Sequence, residues 1–228
     1  MAENMGEKSG DDARATTAAA DNGDLGKIVY GREQALRRRG IPNWGVFGRK
    51  DLQGGGPLID IGVHVLETTH YVMGSPRPVA ASGSTHTYIG NRKSDVVSQW
   101  PDWDHKSYTV EDLAVGQIRF ANGATLSIEA SFAAHIEKNE WNFTLMGEKG
   151  GATWDPPGIF TDANEHMVST RPDWLPGADP FGDKMRNFVA HALHGEPTMA
   201  PAEHGLMVQK MLDGIYESAT KGREVRIR

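Results

Sequence analysis

The sequence predicts an α+β domain, with a mostly antiparallel, open-faced sheet and helices packed on one side. Two observations predict it. Strand-like segments follow one another through the middle of the chain, and the helical segments are gathered before and after them instead of alternating with them. The clearest strand signal, residues 125–132, sets Leu126, Ile128, Ala130 and Phe132 against Thr125, Ser127, Glu129 and Ser131, so one face is buried and the other left open.

Residues 1–22 are small, polar and nearly free of large apolar groups. They predict a disordered or remnant segment outside the domain, in which residues 13–20 form a short helix only against something else. The domain itself is placed at 23–228. Residues 27–36 read as its entering strand, followed by Arg37, Arg38 and Arg39 and a turn-rich loop at 40–48 that contains Pro42 and Trp44. Gly54, Gly55 and Gly56 then open the best helix in the chain, with Pro57 suited to its first position and Gly74 to its exit. Leu58, Ile61, Val65, Thr69 and Val72 fall on one face of that helix, and Asp60, His64, Glu67 and Tyr71 on another.

Residues 78–88 read as a strand and 89–109 as a long excursion rich in Asp and Trp. Residues 113–120 and 125–132 form a hairpin about Asn122-Gly123, residue types that suit a positive-φ turn. Residues 141–146 and 151–154 read as two further strands, and 156–180 as irregular. Two helices close the chain. Residues 181–194 hold Phe181, Met185, Phe188 and Ala192 in phase, residues 201–220 hold Met207, Met211, Ile215 and Ala219 in phase, and 224–227 add a final edge strand.

Composition excludes several classes of function. No run of roughly 18 apolar residues is present, so no membrane span is expected. A formal net charge of −6 and a single short basic cluster speak against nucleic acid as the partner. The absence of cysteine removes disulfides, thiolate zinc sites and a thiol nucleophile. Met1 is followed by acidic and small residues, not by a basic stretch and an apolar core, so a cytoplasmic location is expected.

Asp60 and His64 carry the sharpest chemical signal. At i and i+4 on an α-helix the two side chains lie about 5–6 Å apart at Cβ. A carboxylate in the first helical turn is favoured in its ionised form, and it can hold an imidazole in one tautomer as a proton acceptor, as the oxidation of an alcohol requires. On spacing alone the plainer reading, a helix charge bonded to a surface imidazole, is the commoner one. The glycine run shifts the balance, because three consecutive glycines are best explained by close approach of another backbone or a ligand.

The segment Gly54-Gly55-Gly56-Pro57-Leu58-Ile59-Asp60-Ile61-Gly62-Val63-His64 resembles the Gly-Gly-Gly…Asp-x-x-x-His signature of the Gfo/Idh/MocA family, named for glucose–fructose oxidoreductase, inositol dehydrogenase and rhizopine catabolism. The resemblance extends over about residues 24–228. The stretch from Arg37 to Gly45 is similar to a branch that includes levoglucosan-type dehydrogenases, and Val110-Glu111-Asp112, Asn122-Gly123 and Gly147-Glu148-Lys149-Gly150 resemble the family's sheet.

The resemblance implies the C-terminal domain of a sugar or polyol dehydrogenase. In such an enzyme an N-terminal Rossmann domain binds NAD or NADP, Asp60 and His64 are the catalytic carboxylate and proton acceptor, and a lysine in a Glu-Lys-Pro motif completes the site. It also implies a homo-oligomer formed through the open sheet. This sequence contains no Gly-x-Gly-x-x-Gly turn between strand and helix, and no Glu-Lys-Pro. No cofactor is therefore expected to bind the chain alone, and a Rossmann domain, from the rest of a truncated protein or on a separate chain, would complete it. A stand-alone sugar-binding or oligomerisation module without redox turnover is the reading from another class.

Other candidates are weaker. Trp44 suits the wall of a sugar pocket, because aromatic faces pack on sugar C–H surfaces, and it equally suits an anchor for its loop. Arg38 and Arg39 suit substrate hydroxyls or a partner domain, against a solvated charge run. Trp100, Asp102, Trp103, Asp104 and His105 form a polar–aromatic cluster without assigned roles. His86, His105 and His135 have no spacing that reads as a metal site.

Overall fold

A computed structural model describes residues 11–175, 177 and 179–228. In chain order the elements are α1 (Asp11–Asp21), β1 (Ile28–Leu36), the one-turn helix α2 (Lys50–Gln53), a π-helical turn (Leu58–Gly62) and α3 (Val63–Val72). Then come β2 (Pro78–His86), β3 (Leu113–Phe120), β4 (Thr125–Ser131), β5 (Glu140–Gly147), β6 (Gly150–Thr153), β7 (Gly158–Ala163) and β8 (His166–Thr170). Helices α4 (Pro180–His194) and α5 (Ala202–Lys221) and strand β9 (Val225–Arg226) close the chain.

The strands form one mixed, mostly antiparallel sheet in the order β8-β7-β6-β5-β1-β4-β3-β2-β9. The first strand is central: β1 runs parallel to β4 on one side and antiparallel to β5 on the other. The β3–β4 hairpin turns at Asn122-Gly123, where Gly123 has φ +90° and donates to Phe120 O.

Alternation decides which face is covered. Leu126, Ile128 and Ala130 of β4, Ala114 and Ile118 of β3, and Phe143 and Leu145 of β5 are buried, and the helices lie over them. A Cβ at Gly116 would stand 2.8 Å from Ile215 of α5, so glycine lets that helix approach the sheet closely, and one at Gly31 would stand 2.7 Å from Leu126 of β4. The other face carries Arg32, Gln34, Gln117, Arg119, Ser127 and Glu129, with Gln34 Nε2 donating to Glu129 Oε2 at 3.2 Å. That face is polar enough to meet water.

The structure differs from the sequence reading in three places. Part of the segment placed outside the domain folds as α1 and packs on α3, burying Thr16 and Ala19, while residues 1–10 lie outside the described residues. Residues 156–180, expected to be irregular, contain the β7–β8 hairpin, whose turn residues Asn164 and Glu165 have φ +52° and +66°. No glycine marks that turn; its signal in the sequence is Asn164, a residue type that tolerates positive φ. Helix α4 has the expected bounds within a residue, but its in-phase apolar row is not packed: Phe181 is 72% exposed and Phe188 58%.

Glu33 of β1 is an internal oddity. It is fully buried on the helix-facing side, beside Ile128 and Phe143 in register and under Thr69 of α3. Neither carboxyl oxygen has a hydrogen-bond partner of good geometry. Burial pushes its pKa up to about 8, with the Thr69 hydroxyl pulling the other way. A carboxyl that is neutral when folded and ionised when unfolded makes stability fall as pH rises from its ordinary value of 4.5 to about 8, and level off above. Urea midpoints measured from about pH 5 to 9 should therefore fall less steeply in Glu33→Gln than in the unmodified chain. Parallel curves for the two proteins would mean that Glu33 does not titrate on unfolding.

Candidate active site

Glycines 54–56 connect α2 to the π turn, and each is required for a different reason. Gly54 takes φ +90° and ends α2 by donating to Lys50 O at 2.9 Å. A Cβ at Gly55 would sit 2.2 Å from the Tyr216 hydroxyl, and one at Gly56 would sit 2.1 Å from Glu111 O. The sequence reading expected close approach of a backbone or a ligand. The approaching groups belong to this chain: the Glu111 backbone and the Tyr216 side chain.

Glu111, buried just ahead of β3, accepts from Gly56 N–H at 3.0 Å, Leu58 N–H at 3.3 Å and the Tyr216 hydroxyl at 2.7 Å. Two of these donors are free N–H groups at the start of the helical segment, where partial positive charge favours a carboxylate. Burial and the Glu111 charge together raise the Tyr216 pKa far above its usual range, so Tyr216 remains a donor.

Asp60 lies in the π turn and His64 in the first turn of α3. The sequence reading assumed α geometry throughout, so the wider turn corrects the spacing argument while keeping both residues on one continuous helical segment. Gly62 brings that segment onto β4, where a Cβ would stand 3.1 Å from Ala130 Cβ. Leu58, Ile61, Val65, Thr69 and Val72 are buried, as their phase predicted; of the other face Asp60, His64 and Tyr71 are half-buried, but Glu67 is buried, because the helix is covered on more than one side. The His64 ring stands 6.2 Å from the Trp141 ring of β5.

Arg37 follows β1, on the row of side chains that faces the helices. Its guanidinium lies 5.1 Å from the Trp100 ring and 5.7 Å from the Phe132 ring, and Nη1 donates to Gly40 O at 3.0 Å. Burial lowers the Arg37 pKa, and the nearby Asp60 carboxylate counteracts part of that. Trp44, 49% exposed, meets Trp100 edge-on at 4.9 Å and Phe47 at 5.6 Å. The loops bearing these tryptophans are tied by Asn43 Nδ2 donating to Pro101 O at 2.7 Å.

The site residues named from sequence are thus only partly brought together. Asp60, His64 and Trp44 lie around the segment from the glycines to α3 and the loop before it. Arg38 points elsewhere, exposed, with its side chain on Glu137 O and its N–H on Asn139 Oδ1. Arg39 contacts His135, with Nη2 and Nε2 3.0 Å apart. Sequence reasoning missed Arg37, Trp100 and Trp141. For Arg37 one signal was available: strand parity puts it in line with the apolar Ala35, and Arg38 on the opposite face.

The glycine run, which elsewhere leaves room for a phosphate at a helix start, is here filled by Glu111 and the Tyr216 hydroxyl.

Residues 18–227 match the family model described as the oxidoreductase family, C-terminal alpha/beta domain. The chain is 40% identical over 208 residues to D-glucoside 3-dehydrogenase of Escherichia coli (strain K12), covering 90% of this chain and 58% of that protein. It is 31% identical over 145 residues to levoglucosan dehydrogenase of Pseudarthrobacter phenanthrenivorans, covering 59% of this chain and 37% of that protein. An NAD binding oxidoreductase from Klebsiella pneumoniae superposes with a TM-score of 0.79 at 19% identity, over 98% of this chain and 65% of that one, a likeness of fold. The chain therefore spans less than two thirds of these proteins' length.

The packing at the glycines yields a stability test. Gly56→Ala drives a methyl into the Glu111 backbone carbonyl and should lower stability by about 2–4 kcal/mol, whereas Tyr216→Phe, which removes one hydrogen bond to a charged acceptor, should cost about 1–3. Thermal unfolding of the two variants checks the order, and an unaltered Gly56→Ala protein would contradict the packing described.

Proposed function

Because the chain belongs to the Gfo/Idh/MocA oxidoreductase family, as its C-terminal alpha/beta domain, we propose that it is the substrate-binding and catalytic part of an NAD(P)-dependent sugar or polyol dehydrogenase. The domain is residues 23–228, with α1, from the segment before it, packed on α3. The observation that carries the reading is the placing of Asp60 and His64, half-buried on a helical segment whose start is locked by Glu111. His64 takes the proton of the sugar hydroxyl as hydride leaves the same carbon, and Asp60 sets the imidazole's orientation and tautomer. Trp44 forms an aromatic wall for the sugar ring, with Trp100 behind it. Arg38 is left to the surface loop that it contacts.

The hydride acceptor, NAD or NADP, is held by residues outside this chain, on a Rossmann domain of the same or a separate polypeptide. The substrate class follows the relatives, a glucoside and an anhydrosugar dehydrogenase. The polar sheet face serves self-association, with Arg32, Gln34 and Glu129 at its centre. The location is cytoplasmic.

Alone, the chain should bind neither NAD nor NADP, and calorimetry giving a stoichiometric dissociation constant below about 100 μM (roughly −5.5 kcal/mol) would overturn that.

The activity itself is tested in a two-domain protein, with the nucleotide-binding part of E. coli D-glucoside 3-dehydrogenase joined ahead of Gly23 and assayed on glucosides with both cofactors. In that protein His64→Ala should lower kcat by about 10²–10⁴-fold, with less change in KM. Full kcat in His64→Ala would assign the proton acceptor elsewhere.

A further inference from the structure

Arg37 has a place in the fold that its two arginine neighbours lack. Along the helix-facing row of β1, Gly31 lies under Met73, Glu33 under Thr69, and Ala35 opposite Trp141, whose ring meets His64. The helical segment thus runs antiparallel over β1, and continuing the register puts Arg37 beneath the π turn that carries Asp60. The guanidinium is covered by Trp100 and Phe132 and held at Gly40 O. A planar cation fixed in this way loses little freedom when it meets a carboxylate, and in half-buried surroundings its field is poorly screened.

We propose that Arg37 is a positioning residue for the Asp60–His64 pair: its fixed guanidinium holds the Asp60 carboxylate ionised and oriented, so that Asp60 in turn sets the His64 imidazole as proton acceptor. The proposal rests on the reading of Asp60 and His64 given above.

Other ionisable groups border this end of the domain. His64 stands on the same helical segment, Arg39 and His135 pair across the loop after β4, and Tyr88 lies beside them. Glu111 is under the glycines, its oxygens occupied by Gly56, Leu58 and Tyr216. Arg37 is half-buried, its charge acts on Asp60, and its guanidinium lies against the Trp100 and Phe132 rings.

Two measurements test it. In the chain as it stands, carbon-13 NMR titration of the Asp60 carboxyl should show its pKa rising by about one pH unit or more in Arg37→Gln and staying near the original value in Arg37→Lys. An Asp60 titration unchanged in Arg37→Gln overturns the proposal, whatever the enzyme's substrate. In the two-domain protein, Arg37→Gln should lower kcat about 10-fold or more. It should also move the acid limb of kcat/KM to higher pH, because loss of a nearby cation raises the pKa of both the carboxylate and the imidazole. Arg37→Lys should restore the limb, since it keeps the charge, while recovering kcat only in part because the planar fork is lost. A merely structural arginine would lower the melting temperature without moving the limb, and that result also overturns the proposal. If the unmodified two-domain protein oxidises a sugar and His64→Ala does not, but Arg37→Gln matches the unmodified protein in kcat and limb, the dehydrogenase reading stands and this inference fails. If no sugar is oxidised by the unmodified protein, both fail together.

Discussion

The buried carboxylate of Glu111 is the interaction on which the arrangement of the site depends. It reaches N–H groups at Gly56 and Leu58 and the hydroxyl of Tyr216, so it joins the start of the helical segment to α5 and to the approach of β3. A buried charge is tolerable only when its lone pairs are met, and here the donors meet them. The next residue repeats the device on the other side. Asp112, fully buried, accepts from the N–H groups of Tyr88, Ile89 and Gly90 and so turns the chain into the long excursion. Two adjacent carboxylates organise the helix that bears Asp60 and the loop that bears Trp100.

Much of this was legible in the sequence, and the reasons differ from element to element. The β3–β4 hairpin was readable because alternation and Asn122-Gly123 agree on one answer. The helix bearing Asp60 and His64 was readable from its buried row, yet its opening π turn was not, because five residues do not distinguish a period of 3.6 from a wider one. The β7–β8 hairpin was hidden by a turn without glycine and by strands with little apolar contrast. At the candidate site, Asp60 and His64 were singled out by residue type and the preceding glycine run, since spacing alone favoured a plain helix pair. Arg37 was not: in a run of three arginines only the register of a strand decides which side chain turns inward. The glycine run signalled close approach correctly, but which groups approach depends on contacts more than fifty positions apart in the chain.

The two large surfaces left bare by the fold are of opposite kinds. The open face of the sheet carries charged, amide and hydroxyl side chains, among them Arg32, Gln34, Ser127 and Glu129. Helix α4 is capped at both ends, by Asp179 and by Gly195 in the left-handed region, yet it presents Phe181, Met185, Phe188 and Leu193 to solvent. A fifteen-residue helix has little stability of its own in water, so its caps preserve a shape whose apolar row is unmatched.

The central position of β1 has a consequence in time. Its partners arrive late: Gln34 meets Glu129, 95 positions farther along the chain, and β5 lies farther still. The β2–β3 and β3–β4 pairs, by contrast, are close in the chain and can form first. At about 5–20 residues per second, a ribosome needs roughly 5–20 s after making β1 to supply the strands that will flank it. Throughout that interval β1 has two unpaired edges, and the platform beneath α3 does not exist. High contact order of this kind slows folding. The end of β1 that leads into Arg37 therefore gains its flanking strands late during synthesis.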